Sequence, residues 1–145
     1  MIEIKRKDTG EVLIRVDADT LEGVNLQGRN LERADLEYAN LEEAWLMAAF
    51  LRHAHLRHAN LRLASLFAAD LIDADLANAD LSLVDLASAN LAGANLNGAN
   101  LENASLNGAY LYGARLHGVN LEGIRYNAST RWPAGFDPRR LGSSG

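Results

Sequence analysis

Residues 89–106 read ANLAGANLNGANLENASL. Leucine stands at every fifth position of this stretch, and the same phase runs without a break from Leu21 to Leu121. A period of five fits neither the 3.6-residue turn of an α-helix nor the two-residue alternation of a strand. On a helix, leucines so spaced would spread round the whole circumference. On a flat strand they would alternate between faces. The chain must therefore change direction once in every five residues.

A second column supports this. The residue two before each leucine is small or apolar, from Val24 through Ala34, Ala39 and Ala44 to Val119, with Arg29 as the exception. Residues two apart share one face of an extended segment, so each unit points an alanine and a leucine inward. The residue between them points outward. It is usually Asn or Asp, as at Asn25, Asp35, Asn40, Asp75, Asn90 and Asn95, side chains that bond nearby backbone and favour turns. Glycine fills several of the corners that follow, as at Gly93, Gly98, Gly108, Gly113 and Gly118. A short repeat of this kind buries little alone and builds a core when stacked, which is the signature of a solenoid.

The stretch over 89–106 resembles the pentapeptide-repeat family, whose unit is A(D/N)LXX. The match runs from about Val24 to Tyr126. The resemblance implies an all-β fold, a right-handed quadrilateral β-helix with four units to a coil and about five coils. At roughly 4.8 Å between stacked strands the body would be about 25 Å long.

A twenty-residue coil makes residues twenty apart axial neighbours, and the charges agree with it. It pairs Glu32 with Arg52, Asp35 with His55, Glu37 with Arg57 and Glu42 with Arg62. A fifteen-residue coil would align only Glu37 with Arg52 and Glu42 with Arg57. The charge pattern thus favours four sides independently of the family. Each exposed pair contributes only about 0.2–1 kcal/mol, so register is its main use.

The two ends differ. Ile2, Ile4, Val12, Ile14 and Val16 alternate with polar residues around KDTGE, a hairpin pattern that predicts an N-terminal β-hairpin cap over 1–19. The solenoid is expected over 20–128. Tyr126 takes a leucine position, and YNASTRWPAGFDP follows. Pro133 and Pro138 cannot continue a ladder, while Trp132 and Phe136 are placed to cover the last coil. This predicts a C-terminal capping tail over 129–145, which resembles the tails of cyanobacterial members of the family.

Bulk properties exclude several function classes. The formal net charge is −5, against the basic patch that nucleic-acid binding requires. The chain has no cysteine, so disulfides, thiol chemistry and zinc–thiolate sites are absent. A filled interior leaves little room for the concave pocket of a small-molecule substrate. The opening MIEIKRKDTG lacks the apolar run of a signal peptide or membrane span, and a cytoplasmic location is the default expectation.

Three breaks in the outer pattern are candidates for function. His53, His55 and His58 are potential metal ligands or pH sensors, with Asp73 beneath His53 and Asp75 beneath His55. Their side chains flank a corner and need not converge, so they are read as surface bases; no metal, cofactor or catalytic residue is assigned. The Asp35–His55–Asp75 stack has no aligned nucleophile or pocket.

The second break is apolar. Trp45 and Phe50 stand where Asn or Asp is usual, Met47 shares the face of Trp45, and Phe67 is the axial neighbour of Met47. With Ala48, Ala68 and Ala87 they form a candidate contact patch, while Phe50 lies round the corner; Trp is enriched at interface hot spots. The third is an acidic face of Glu22, Glu42, Glu43, Asp80, Glu102 and Glu122 against Arg62 alone.

Together these features predict a non-enzymatic structural or protein-interaction scaffold. Its partner is another protein or a second copy, with no nucleic acid and no membrane involved. The resemblance also implies a runner-up, a DNA-mimicking regulator of gyrase-type topoisomerases. The chain departs from that subgroup in carrying Leu rather than Phe at the central position, in its short body and in a tail without a helical pattern.

Overall fold

Five amide groups per unit must find acceptors if the corner is to repeat, and residues 70–74 show how they do so in a computed structural model that describes residues 1–141. The Asp70 amide donates to Ala49 O of the preceding coil at 3.0 Å. Those of Leu71 and Asp73 donate to Asn90 O and Ala92 O of the following coil at 2.8 and 2.9 Å. The Ala74 amide closes the turn on Leu71 O at 3.0 Å. The fifth, that of Ile72, donates to Asp70 Oδ1 at 3.2 Å. The outward Asn or Asp of the motif is therefore a cap for the one amide that neither the stack nor the turn can satisfy. The same bond recurs where Ala92 N donates to Asn90 Oδ1 and Asn97 N to Asn95 Oδ1.

The turn has its own requirement. Asp73, two residues after the leucine, has φ 57°, the left-handed third position of a type II turn. Glycine meets it without strain at Gly93 and Gly98. Every such corner from Arg33 to Ser88 carries a side chain instead, at roughly 1–2 kcal/mol each.

Stacking follows at one coil per twenty residues. Parallel bridges join Asn25 to Trp45, Trp45 to Ser65 and so on to Ser105 with Arg125, and the three other sides follow the same offset. The charge-based inference of four sides is thus met by the backbone. At the C-terminal end Tyr110 pairs with Arg131, one residue beyond the regular offset, because the chain has left the repeat at Tyr126.

The interior is the ladder. The ladder leucines, at every fifth position from Leu21 to Leu111, are buried, as are most of the alanines two residues before them. Burying each leucine contributes about 1.5–3 kcal/mol. Leu116 is only partly covered. It lines an open cleft of about 270 Å³ beside Pro133 and Phe136, where the tail stands off the last coil.

The N-terminal strands β1 (Ile2–Lys5) and β2 (Val12–Val16) pair antiparallel, and Ile4 and Ile14 are buried against the leucine core. β1 is joined to the first coil through Asp35 N to Lys5 O at 2.7 Å, and Lys7 N just beyond the strand donates to Arg33 O at 2.8 Å. At the other end, Trp132 packs against Tyr126 and Phe136, with ring centroids 5.7 and 4.9 Å apart. A 3-10 turn spans Pro138–Leu141. The expected tail over 129–145 runs past the described residues; 142–145 lie outside them. Among the described residues no helix is long and apolar enough to cross a membrane.

Candidate interaction face

Four of the expected cross-coil charge pairs can be checked against the side chains. Glu42 meets Arg62 at 3.6 Å. At the other three the twenty-residue register holds, but the side chains pair elsewhere. Arg52 and Arg57 reach diagonally, eighteen residues on, to Asp70 at 2.6 Å and Asp75 at 2.5 Å. Asp70 and Asp75 are already fixed, each with one oxygen on its own turn amide. The second oxygen is preorganised for the guanidinium, whereas Glu32 and Glu37 are longer and lose more freedom on pairing. The bonds to these carboxylates raise the pKa of both guanidinium groups. Glu37 and Asp35 are taken by Lys7 of the cap, at 3.4 and 3.7 Å.

This rearrangement decides the histidine group. The carboxylates expected above and below His55 are engaged by Lys7 and Arg57. His53 lies 3.8 Å from Asp73, and His58 stacks on Tyr38 with ring centroids 4.7 Å apart. The three imidazoles thus have separate surroundings. The described residues hold one group of ligand atoms close enough for a metal ion, Glu22, Glu42 and Glu43. There Glu42 is already bonded to Arg62 and Asn60.

The apolar break is better organised than its residues alone foretell. One side of the solenoid is formed by Asn25, Trp45, Ser65, Asp85, Ser105 and Arg125. Trp45, one coil below Asn25, is 53% exposed. Along one margin run half-buried Met47 and then Phe67, 46% exposed. Along the opposite margin stand Leu63 and Leu83, 43% and 41% exposed. An open cleft of about 400 Å³ lies between Phe67 and Leu83, floored by Asp85 and Ser105 and closed by Arg125. Phe50 is on the next side, in a separate depression with Asn30, Glu32, Arg52 and Asp70. Trp45, Met47 and Phe67 therefore share one face, and Phe50 does not.

Leu63 and Leu83 escape a reading of the sequence because they are two more leucines in a leucine-rich chain. The signal that exposes them is phase. Both fall two residues after a ladder leucine and adopt φ 62° and 58°, a conformation that glycine or asparagine occupies at lower cost. Trp45 also forgoes a cap: with no Asx side chain before it, the Met47 amide has no hydrogen-bond partner among the described residues. Local structure is thus less favourable along this face than the repeat permits, and large apolar side chains are exposed there.

The repeat itself matches the family profile described as Pentapeptide repeats, in eight copies over residues 20–52, 47–82 and 85–123. The chain belongs to the pentapeptide repeat family. Family members fold as right-handed quadrilateral β-helices. This pentapeptide repeat protein is 35% identical to Rfr23, a pentapeptide repeat protein from the cyanobacterium Cyanothece 51142, over 76% of this chain and 88% of that one, with a TM-score of 0.71. It is 29% identical to alr5209, a pentapeptide repeat protein from Nostoc Pcc 7120, over 83% and 84% of the two chains, with a TM-score of 0.52. QnrB1, a plasmid-mediated fluoroquinolone resistance protein, shares the fold at 20% identity and a TM-score of 0.60, over 79% of this chain and 62% of its own. No protein of curated function matches the chain.

Proposed function

We propose that this pentapeptide repeat protein is a non-enzymatic scaffold that binds another protein through the face carrying Trp45 and Phe67, bordered by Leu63 and Leu83. The observation that carries this reading is the pair of exposed leucines in left-handed backbone beside an exposed tryptophan. Large apolar side chains exposed where they weaken the fold, two of them, Phe67 and Leu83, lining one cleft, fit a contact surface. The filled interior and the separately engaged histidines support the non-enzymatic reading.

Two sets of variants separate contact from folding. Trp45→Ser with Phe67→Ser is expected to lose a specific partner from a host lysate, quantified by mass spectrometry, with thermal unfolding little changed. Leu63→Gly and Leu83→Gly should each stabilise the protein by about 0.5–1 kcal/mol, the relief of left-handed strain less the entropy of glycine, while also weakening capture. Capture unaltered in both sets removes this face from the proposal.

The gyrase reading has one supporting feature, the column of Glu22, Glu42, Glu102 and Glu122 at a single corner. The column is interrupted by Arg62, which pairs with Glu42, and by Ser82. A supercoiling assay with purified gyrase tests it, and enzyme activity unaffected at micromolar protein rejects it.

A further inference from the structure

The side that carries Trp45 ends on an unused cation. Arg125 is the last residue of that side, following Ser65, Asp85 and Ser105. Its backbone is fully engaged: the amide donates to Ala104 O at 2.9 Å and the carbonyl accepts from Leu106 N at 2.7 Å. Its side chain is exposed and has no ion-pair or hydrogen-bond partner among the described residues, although Glu102 and Glu122 stand at the adjoining corner. Arg52, Arg57 and Arg62, by contrast, each hold a carboxylate.

Arg125 lines the cleft of about 400 Å³ that has Phe67 and Leu83 at its margins. The floor of this cleft has spare polar capacity. Asp85 commits Oδ1 to the Ala87 amide at 2.9 Å, which leaves its second oxygen as an acceptor. The Ser105 hydroxyl is unbonded among the described residues. The cleft thus offers two apolar walls, an acceptor and an anion-binding group, in a volume suited to a small ligand or a side chain. Toward the N-terminal end of the same face the charge reverses: Glu43 precedes Leu63 in its column, and neither Glu22 nor Glu43 has an ion pair among the described residues.

We propose that this face takes the C-terminal segment of a partner protein, with an apolar last side chain between Phe67 and Leu83 and the terminal carboxylate on Arg125. The inference rests on the contact reading above and names the partner's chemistry. A terminal residue presents an apolar side chain, an N–H and a carboxylate from a single Cα. The cleft answers these with Phe67 and Leu83, with Asp85 and with Arg125. Guanidinium–carboxylate bonds are charge-assisted and bidentate, and capture of a chain terminus is an established mode of peptide recognition. An internal acidic residue would have to continue past Arg125, where the side ends. The preceding residues run back toward Trp45, four coils away. That is about 19 Å at roughly 4.8 Å per coil, the span of about six extended residues. A basic residue at the start of such a segment faces Glu22 and Glu43.

The probe is an N-acetylated hexapeptide with lysine first, leucine last, glycine and serine between, and a free C-terminal carboxylate. It is titrated into the full chain by heteronuclear NMR beside two controls, the same peptide ended by an amide and an amide-ended peptide with glutamate next to its leucine. The acid peptide is expected to move the amide resonances of Leu83, Asp85, Ser105 and Arg125, and to bind about tenfold or more tighter than either control. Arg125→Gln should bring it to the level of the amide, Arg125→Lys should keep part of the advantage, and both variants should unfold as the parent does. Equal binding of acid and amide, an unchanged affinity in Arg125→Gln, a glutamate peptide as tight as the acid, or no shifts at millimolar peptide each overturns the proposal. The lysate separates this failure from that of the contact reading. Capture lost in Trp45→Ser with Phe67→Ser but kept in Arg125→Gln retains the face and removes the carboxylate, whereas capture unaltered in all variants removes both.

Discussion

Leu71→Asp is expected to abolish cooperative folding. Leu71 is fully buried in the middle of the ladder, with aliphatic neighbours in the coils above and below. A carboxylate there has no partner and no water, and its desolvation costs on the order of the whole stability of a domain this size, roughly 5 kcal/mol or more. Far-UV circular dichroism and a urea titration give the readout: no unfolding transition for the variant, against a sharp one for the parent. Asn97→Asp introduces the same charge on the outer wall. Asn97 Oδ1 accepts from His117 N at 2.8 Å, and an aspartate keeps that acceptor, so the cost should stay within about 0.5 kcal/mol. Equal losses from the two changes would mean that the leucines do not face inward.

Thr130→Val is expected to release the C-terminal tail at a cost of about 2 kcal/mol. Thr130 is the buried polar side chain of the described residues. Its hydroxyl donates to Leu106 O at 2.8 Å and accepts from Asn127 N at 3.1 Å. Valine fills the same volume and satisfies neither group, and stranding a buried donor or acceptor costs about 1–3 kcal/mol. The effect spreads, because Asn127 Oδ1 accepts from Gly108 N at 3.0 Å and Trp132 packs just beyond. In a Trp45→Phe background, the emission of Trp132 should shift to the red and its unfolding midpoint should fall. Thr130→Ser, which keeps the hydroxyl, should recover most of the loss. An emission spectrum unchanged by Thr130→Val would show that the tail is held by its aromatic rings alone.

The scaffold was largely legible before any coordinate was known, for a physical reason. A period of five admits few backbone solutions, and the alanine, Asx and leucine positions each have one local task. Inward and outward assignments therefore follow residue by residue. Side-chain partners were less legible. The register of Arg52 and Arg57 placed Glu32 and Glu37 as axial neighbours, yet both arginines bond carboxylates that turn amides had already fixed. Lys7 reaches Asp35 from a hairpin whose docking side no repeat pattern encodes. For the contact face, the repeat phase places Trp45, Met47 and Phe67 together and Phe50 round the corner, as the structure has them. Leu63 and Leu83 are recognisable only once the left-handed corner is known to be costly for leucine. Thr130 had no signal at all, since it lies beyond the repeat.

The twenty-residue offset also makes the molecule behave as a dial. Removing one unit leaves every local bond intact but rotates all that follows by a quarter-turn. A five-residue deletion between Trp45 and Phe67 would carry Phe67 round a corner, while Trp45 stayed in place. A deletion of a whole coil would shorten the body and leave each residue on its original side. Surface composition and folding are thus separable by length alone. New faces can arise through shuffling units in steps of five, and established faces survive only changes in steps of twenty.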